Sequence, residues 1–188
     1  MNNIETKHLK TRWIHLFNNT MHKFFINKNV LDIGCLDGYS TNHFIKNNAK
    51  SVIGIDIEPS YIEQAKLKYP NIVFKIEDAE QLNNFEAIDV ISCLGLIYLL
   101  KDPLSFLNKI SKQINSDTII IETVLNNGKE YINNGFCFTN IDETKQIFIN
   151  NNWYISYEKT FTTKDIVHKI NNDINFGNRI VLVFERQL

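Results

Sequence analysis

The chain is predicted to form an α/β fold, doubly wound around a mostly parallel seven-stranded sheet. Two observations predict it. Short apolar runs alternate with amphipathic stretches along most of the length, and the first run breaks into a turn carrying two glycines. Ser51 to Ile57 adds a third, as an almost uninterrupted apolar run of the kind buried on both faces of a parallel sheet.

Each element follows in order. Thr6 to Ile26 places Leu9, Trp13, Leu16, Phe17, Met21, Phe24 and Phe25 at helical spacing, which predicts an additional amphipathic N-terminal helix lying on the domain. Val30 to Ile33 is a strand that breaks at Gly34, and Tyr39 to Asn48 a helix with Phe44 and Ile45 inward. After the Ser51–Ile57 strand, Pro59 opens a helix to about Tyr69, at a position where its missing N–H costs nothing. Strands are predicted over Ile72–Ile76, Ala87–Cys93 and Thr118–Thr123, with helices over Pro103–Ile114 and Asp142–Asn151. These alternations imply right-handed crossovers. Trp153–Phe161 and Arg179–Phe184 are predicted to pair antiparallel at one edge, spanned by a short helix over Lys164–Ile170. The organisation expected is one domain over 1–188: a helical cap (1–27), a ligand-binding core (28–123), a substrate-side loop (124–140), then a helix and edge strands (141–188).

Composition narrows the class. The net charge of −1, with Lys and Arg scattered, does not favour a nucleic-acid partner. No apolar run reaches the roughly 18 residues that span a bilayer, and Met1 to Lys10 lacks the apolar centre of a secretory signal. Cys35, Cys93 and Cys137 have neither even number nor C-x-x-C spacing, so they read as buried thiols in a reducing, cytoplasmic compartment. His8, His15 and His22 recur at heptad spacing rather than one turn apart, so no metal is expected.

The strongest local signal is Val30-Leu31-Asp32-Ile33-Gly34-Cys35-Leu36-Asp37-Gly38, in which a strand ends, two glycines turn and a helix begins. A dinucleotide fingerprint has three glycines, G-x-G-x-x-G; here Gly34 and Gly38 stand alone. Asp32 also precedes the first glycine. A carboxylate there repels a pyrophosphate and suits a cation such as the α-amino group of methionine, which favours S-adenosylmethionine (SAM) over a nicotinamide dinucleotide. Asp56 ends the next strand roughly 20 residues beyond the glycine turn, where a carboxylate accepts ribose hydroxyls. Glu77-Asp78-Ala79-Glu80 follows the third strand, and Asp78 with the next backbone N–H is placed for an adenine edge.

This order, completed by Phe85-Glu86-Ala87-Ile88-Asp89-Val90-Ile91-Ser92-Cys93, resembles the class I SAM-dependent methyltransferases over about residues 28 to 125. The resemblance implies a Rossmann-like seven-stranded sheet with an antiparallel last strand. It implies that Asp32 and Gly34, with Cys35 and Gly38 of the same turn, border the methionine of SAM. Asp56 would hold the ribose, Ile57 would pack on adenine and Asp78 with Ala79 would meet its edge. Cys93 and Leu94 would line the floor near the sulfonium. Leu94-Gly95-Leu96-Ile97-Tyr98-Leu99-Leu100-Lys101-Asp102-Pro103, with Ile121-Glu122-Thr123, also resembles the tRNA wobble-uridine carboxymethyltransferases. Leu99 stands where those enzymes often carry a His, and the chain is expected to lack their additional domain.

Methyl transfer from a sulfonium is an in-line displacement, so the main task is to place a nucleophile about 3 Å from the methyl. A base is needed only where the acceptor must lose a proton. Tyr98 and Glu122 are the catalytic candidates, with Asp37, Arg12, Trp13, Tyr131, Phe136 and Phe138 as substrate or lid residues. The reading is a cytoplasmic enzyme that moves a methyl group to oxygen, nitrogen or carbon of a small molecule, leaving S-adenosylhomocysteine. An RNA or protein methyltransferase working with a partner, and a SAM-binding protein with other chemistry, are the alternatives. A homodimer is left open.

Overall fold

The computed structural model describes residues 12–82, 87–113, 116–125, 132–133, 136–137, 140–162, 169–170, 174–175 and 178–187. Helices are α1 (12–16 of the described chain), α2 (Asn19–His22), α3 (Tyr39–Lys46), α4 (Pro59–Lys68), α5 (Pro103–Gln113) and α6 (Ile141–Ile149). The strands of the main sheet are β1 (Asn29–Ile33), β2 (Ser51–Asp56), β3 (Val73–Ile76), β4 (Val90–Leu94), β5 (Thr118–Val124), β8 (Trp153–Thr162) and β11 (Asn178–Arg186). Two-residue strands make separate small ladders: β6 (Ile132–Asn133) with β7 (Phe136–Cys137), and β9 (Lys169–Ile170) with β10 (Ile174–Asn175).

The main sheet has seven strands in the order β3-β2-β1-β4-β5-β11-β8. The first five run parallel, and β11 is antiparallel to both β5 and β8. β1 is the switch point, because the chain leaves it towards β2 on one side and returns on the other as β4. Ligands of open α/β sheets bind outside the carboxyl ends of the strands at such a point. The predicted Rossmann-like architecture, its antiparallel edge and its N-terminal helical addition are all present.

Side chains alternate between two apolar layers, as the period of a strand requires. Leu31, Ile33, Ile119, Ile121, Ile180 and Leu182 pack with Phe106, Ile110 and Phe148 of α5 and α6 on one face. Val30, Ile120, Val181 and Val183 pack with Trp13, Leu16, Met21, Phe24, Phe25 and Phe44 on the other. The N-terminal residues therefore complete the second layer.

Three local expectations change. The single helix expected over Thr6–Ile26 is broken at Asn18. Its Oδ1 accepts from the N–H groups of Thr20 (2.9 Å) and Met21 (3.1 Å), while its Nδ2 donates to the His15 carbonyl (2.7 Å). One side chain thus closes α1 and caps α2. Ile45, expected inward, is exposed, and Phe44 alone carries the buried face there. Lys169 and Ile170, expected to end a helix, lie in a strand; the rest of that segment, 164–168, falls outside the described residues.

Candidate functional site

The turn after β1 is built by backbone geometry. Gly34 has φ +75°, and its N–H and that of Cys35 donate to the Ile55 carbonyl at 2.9 and 3.0 Å, which ties the turn to β2. A Cβ on Gly34 would stand 3.1 Å from the Leu96 side chain, so the turn and the β4 loop approach as closely as glycine permits. Gly38, at φ +81°, starts α3 against the Phe74 and Tyr69 rings.

Between these turns lies a cleft of about 640 Å³, within the roughly 300–1,000 Å³ of small-molecule sites. Gly34, Asp56, Ile57, Asp78, Ala79 and Leu94 line it, at the strand tips where the sequence placed them. Asp56 accepts the N–H of Leu36 at 2.9 Å and of Glu58 at 3.0 Å, so its carboxylate is oriented at the tip of β2. Asp78 accepts the N–H of Glu80 at 2.9 Å and caps the short turn at Ala79–Gln81. Ile57 remains well exposed, an apolar surface beside two carboxylates.

Asp32 is placed differently from the direct contact expected of it. It is buried, its Oδ2 accepts Ser40 Oγ (2.6 Å) and Thr41 Oγ1 (2.7 Å), its Oδ1 accepts Ser92 Oγ (3.2 Å), and it does not line the cleft. Burial lifts its carboxyl to about 6 although the three hydroxyls oppose the rise. Cys35 and Cys93 are buried in apolar clusters away from the lining, and burial pushes both thiols up, so neither is a ready nucleophile.

Glu122 has no exposed surface. Arg12 Nη2 donates to its Oε2 at 2.5 Å, Arg179 Nη2 to the same oxygen at 3.0 Å, and Arg179 Nε to its Oε1. Burial alone would raise this carboxyl, but the two guanidiniums outweigh it and hold it below the usual carboxylate range. An ionised, fully engaged carboxylate without access to the cleft is a poor base for an acceptor, so its place is to hold two arginines. Tyr98 does line the cleft, with Arg179 Nη2 at 3.5 Å from its hydroxyl and the guanidinium 5.7 Å from its ring centroid.

Arg12 also lines the cleft, whereas Trp13 turns into the core against Phe17, Tyr39 and His43. Asp37 pairs with Lys68 and stands apart from the lining. Tyr131 and Phe138 fall outside the described residues, and Phe136 is described only as backbone in β7. Sequence reasoning missed Arg179, Glu58, Tyr61 and Leu96. A signal for Arg179 existed: Glu122 is a lone charge in the apolar run Thr118–Val124 and requires a buried cation.

The cleft also has an electrostatic sign. Asp56, Glu58, Glu77, Asp78 and Glu80 face Arg12 and Lys101, five carboxylates against two cations. A family model for the methyltransferase domain matches residues 25–173. The chain belongs to the methyltransferase domain family. In fold the chain is similar to solved proteins described as SAM-dependent methyltransferases. One from Listeria monocytogenes is 15% identical, with a TM-score of 0.72 over 96% of this chain and 100% of that one. The magnesium protoporphyrin IX methyltransferase of Synechocystis, solved with bound SAM, is 15% identical, with a TM-score of 0.64 over 98% of this chain and 79% of that one. In sequence the chain is 29% identical over 130 residues to a tRNA U34 carboxymethyltransferase of Nautilia profundicola, covering 65% of this chain and 42% of that enzyme. It thus spans less than half the length of such relatives. The residues around the cleft fit SAM: the acidic wall suits a sulfonium and an ammonium, and Asp56 beside exposed Ile57 suits a nucleoside.

Proposed function

We propose that this methyltransferase acts on a small-molecule nucleophile, with the donor held across the tips of β1, β2 and β3 and the acceptor on the Tyr98 side. The observation that carries the reading is the acidic wall of the cleft, Asp56, Glu58, Glu77, Asp78 and Glu80. It attracts a cationic donor and repels a phosphate backbone. Asp56 is assigned to the ribose hydroxyls, Ile57 to the adenine face, Asp78 and Ala79 to its edge, and Gly34 and Leu94 to the methionine and sulfonium side. SAM supplies an electrophilic methyl group; the protein supplies position. Tyr98 meets the acceptor, its ring held under Arg179, which Glu122 fixes in turn. Asp32 braces the turn through Ser40 and Thr41 at the start of α3.

A tRNA acceptor is the second reading, favoured by the names of relatives such as the Nautilia profundicola enzyme and a Helicobacter acinonychis one 33% identical over 112 residues. Those names count against the expectation that nucleic acid is disfavoured. One assay separates the two: S-adenosylhomocysteine released from SAM with either a low-molecular-mass cell filtrate or total tRNA. Turnover with the filtrate is expected. Turnover with tRNA alone replaces the first reading by the second.

A further inference from the structure

The two walls of the cleft differ in chemistry. The acidic wall comes from the turns after β2 and β3, where the donor's nucleoside is assigned. The wall opposite is one continuous segment after β4, in which Leu94, Leu96, Leu99 and Leu100 line the cleft and only Tyr98 and Lys101 bring side-chain hydrogen-bonding groups. The single turn within it, Ile97–Leu99, lies against β5 and β7. In the sheet order β5 is separated from β2 by β1 and β4, so this turn stands on the side away from the nucleoside positions. Ile97 of the turn is buried in the core, whereas Leu99 keeps 52% of its surface exposed. A solitary exposed leucine on a convex surface is ordinary. In the wall of a concave site of about 640 Å³ the same side chain is apolar area set out for a ligand to cover. A sugar, a phosphate or another densely polar acceptor would lose its hydrogen bonds to water against that wall and find few partners to replace them.

We propose that the methyl acceptor carries an apolar face, an alkyl group or an aromatic ring, which rests on Leu99 while its nucleophile lies beside Tyr98. This deepens the small-molecule reading above and rests on it. Two arms test it. The first needs no acceptor: N-phenyl-1-naphthylamine, an uncharged apolar fluorophore, is titrated into protein saturated with S-adenosylhomocysteine, so that the donor half is filled. Wild type is compared with Leu99→Ser, with Leu99→Ile and with Leu67→Ser, whose leucine is 84% exposed on α4 outside the cleft lining. In the second arm a low-molecular-mass cell filtrate is passed over a C18 reversed-phase cartridge, and the retained and unretained fractions are assayed with SAM for S-adenosylhomocysteine.

The probe is expected to bind the loaded wild type, and Leu99→Ser to weaken it by about 4- to 12-fold, the worth of covering half a leucine side chain. Leu99→Ile and Leu67→Ser are expected to keep the wild-type value, and S-adenosylhomocysteine affinity to stay unchanged in all three variants. Turnover is expected in the retained fraction, with Leu99→Ser raising KM and sparing kcat. A probe that ignores Leu99→Ser, that is lost equally in Leu67→Ser, or that does not bind the loaded protein overturns the inference. So does a matching loss of S-adenosylhomocysteine affinity in Leu99→Ser, which assigns Leu99 to the donor. Turnover confined to the unretained fraction also overturns it, while leaving the small-molecule reading in place. Turnover with total tRNA alone refutes that reading, and protein that binds no S-adenosylhomocysteine refutes methyl transfer itself. Where neither fraction turns over, the probe arm decides alone.

Discussion

A carboxylate buried among three hydroxyls at a strand tip behaves as a pH sensor of stability. The Asp32 carboxyl stands at about 6 against 3.8 for an ordinary aspartate, chiefly through burial. Between those values the folded state holds a proton that the unfolded chain has released, so stability falls as pH rises from about 4 to 6. A rise of that size is worth about 3 kcal/mol. Urea unfolding of Asp32→Asn against wild type is therefore expected to show the variant gaining relative stability by up to about that amount between pH 4 and pH 7; a constant difference would show that the group does not titrate there. Asp56 has a separate test. Asp56→Ala is expected to weaken SAM by about 1–3 kcal/mol in calorimetric titration, the worth of hydrogen bonds to a charged acceptor. The sequence made Asp56 legible because strand period and distance from the glycine turn suffice to place it. Asp32 was legible as a conspicuous charge but not in its orientation, since Ser40 and Thr41 capture it only once α3 has formed against β1. The ion pairs of Glu122 were illegible for a related reason: its partners lie 110 and 57 residues away in sequence, beyond any local pattern.

Among the elements, β2 shows how closely the donor half is packed. A Cβ on Gly54 would stand 2.7 Å from the Phe74 ring of β3 and 3.0 Å from Cys35 Sγ in the turn after β1. Gly54→Ala is expected to cost roughly 1–3 kcal/mol by overpacking, read as a lower midpoint in thermal unfolding. SAM affinity should fall with it, because the displaced turn carries Gly34 and Leu36, which line the cleft. Central strands and crossover helices were readable to within three residues, the widest miss being the strand expected from Ala87 that begins at Val90, because their apolar periods are long and unbroken. The N-terminal helix was not, because the Asn18 cap interrupts a continuous apolar stripe without altering it. The edge of the sheet was readable as a pair of strands, but not the placing of β11 between β5 and β8, which depends on which neighbour buries Val181 and Val183.

At the scale of the molecule, Glu122 joins a residue of α1, a central strand and a residue of β11. Glu122→Gln takes from two buried guanidiniums the carboxylate they share and is expected to destabilise by about 3–5 kcal/mol in denaturant titration. Its carboxyl lies below the ordinary range when folded, so that contribution is present above the unfolded value near 4.5 and lost as pH falls through the folded one. Acid unfolding of wild type should therefore be steeper than that of the variant. The position of β11 also has a bearing on synthesis. Strands β5 and β8 leave the ribosome first, and the strand that separates them emerges only afterwards. A nascent chain can thus assemble its nucleoside-facing half early, while the opposite wall awaits the arrival of Arg179. Because β8 has, among the described residues, no strand partner in the sheet other than β11, the two can join it only together, once Arg179 and its strand have emerged.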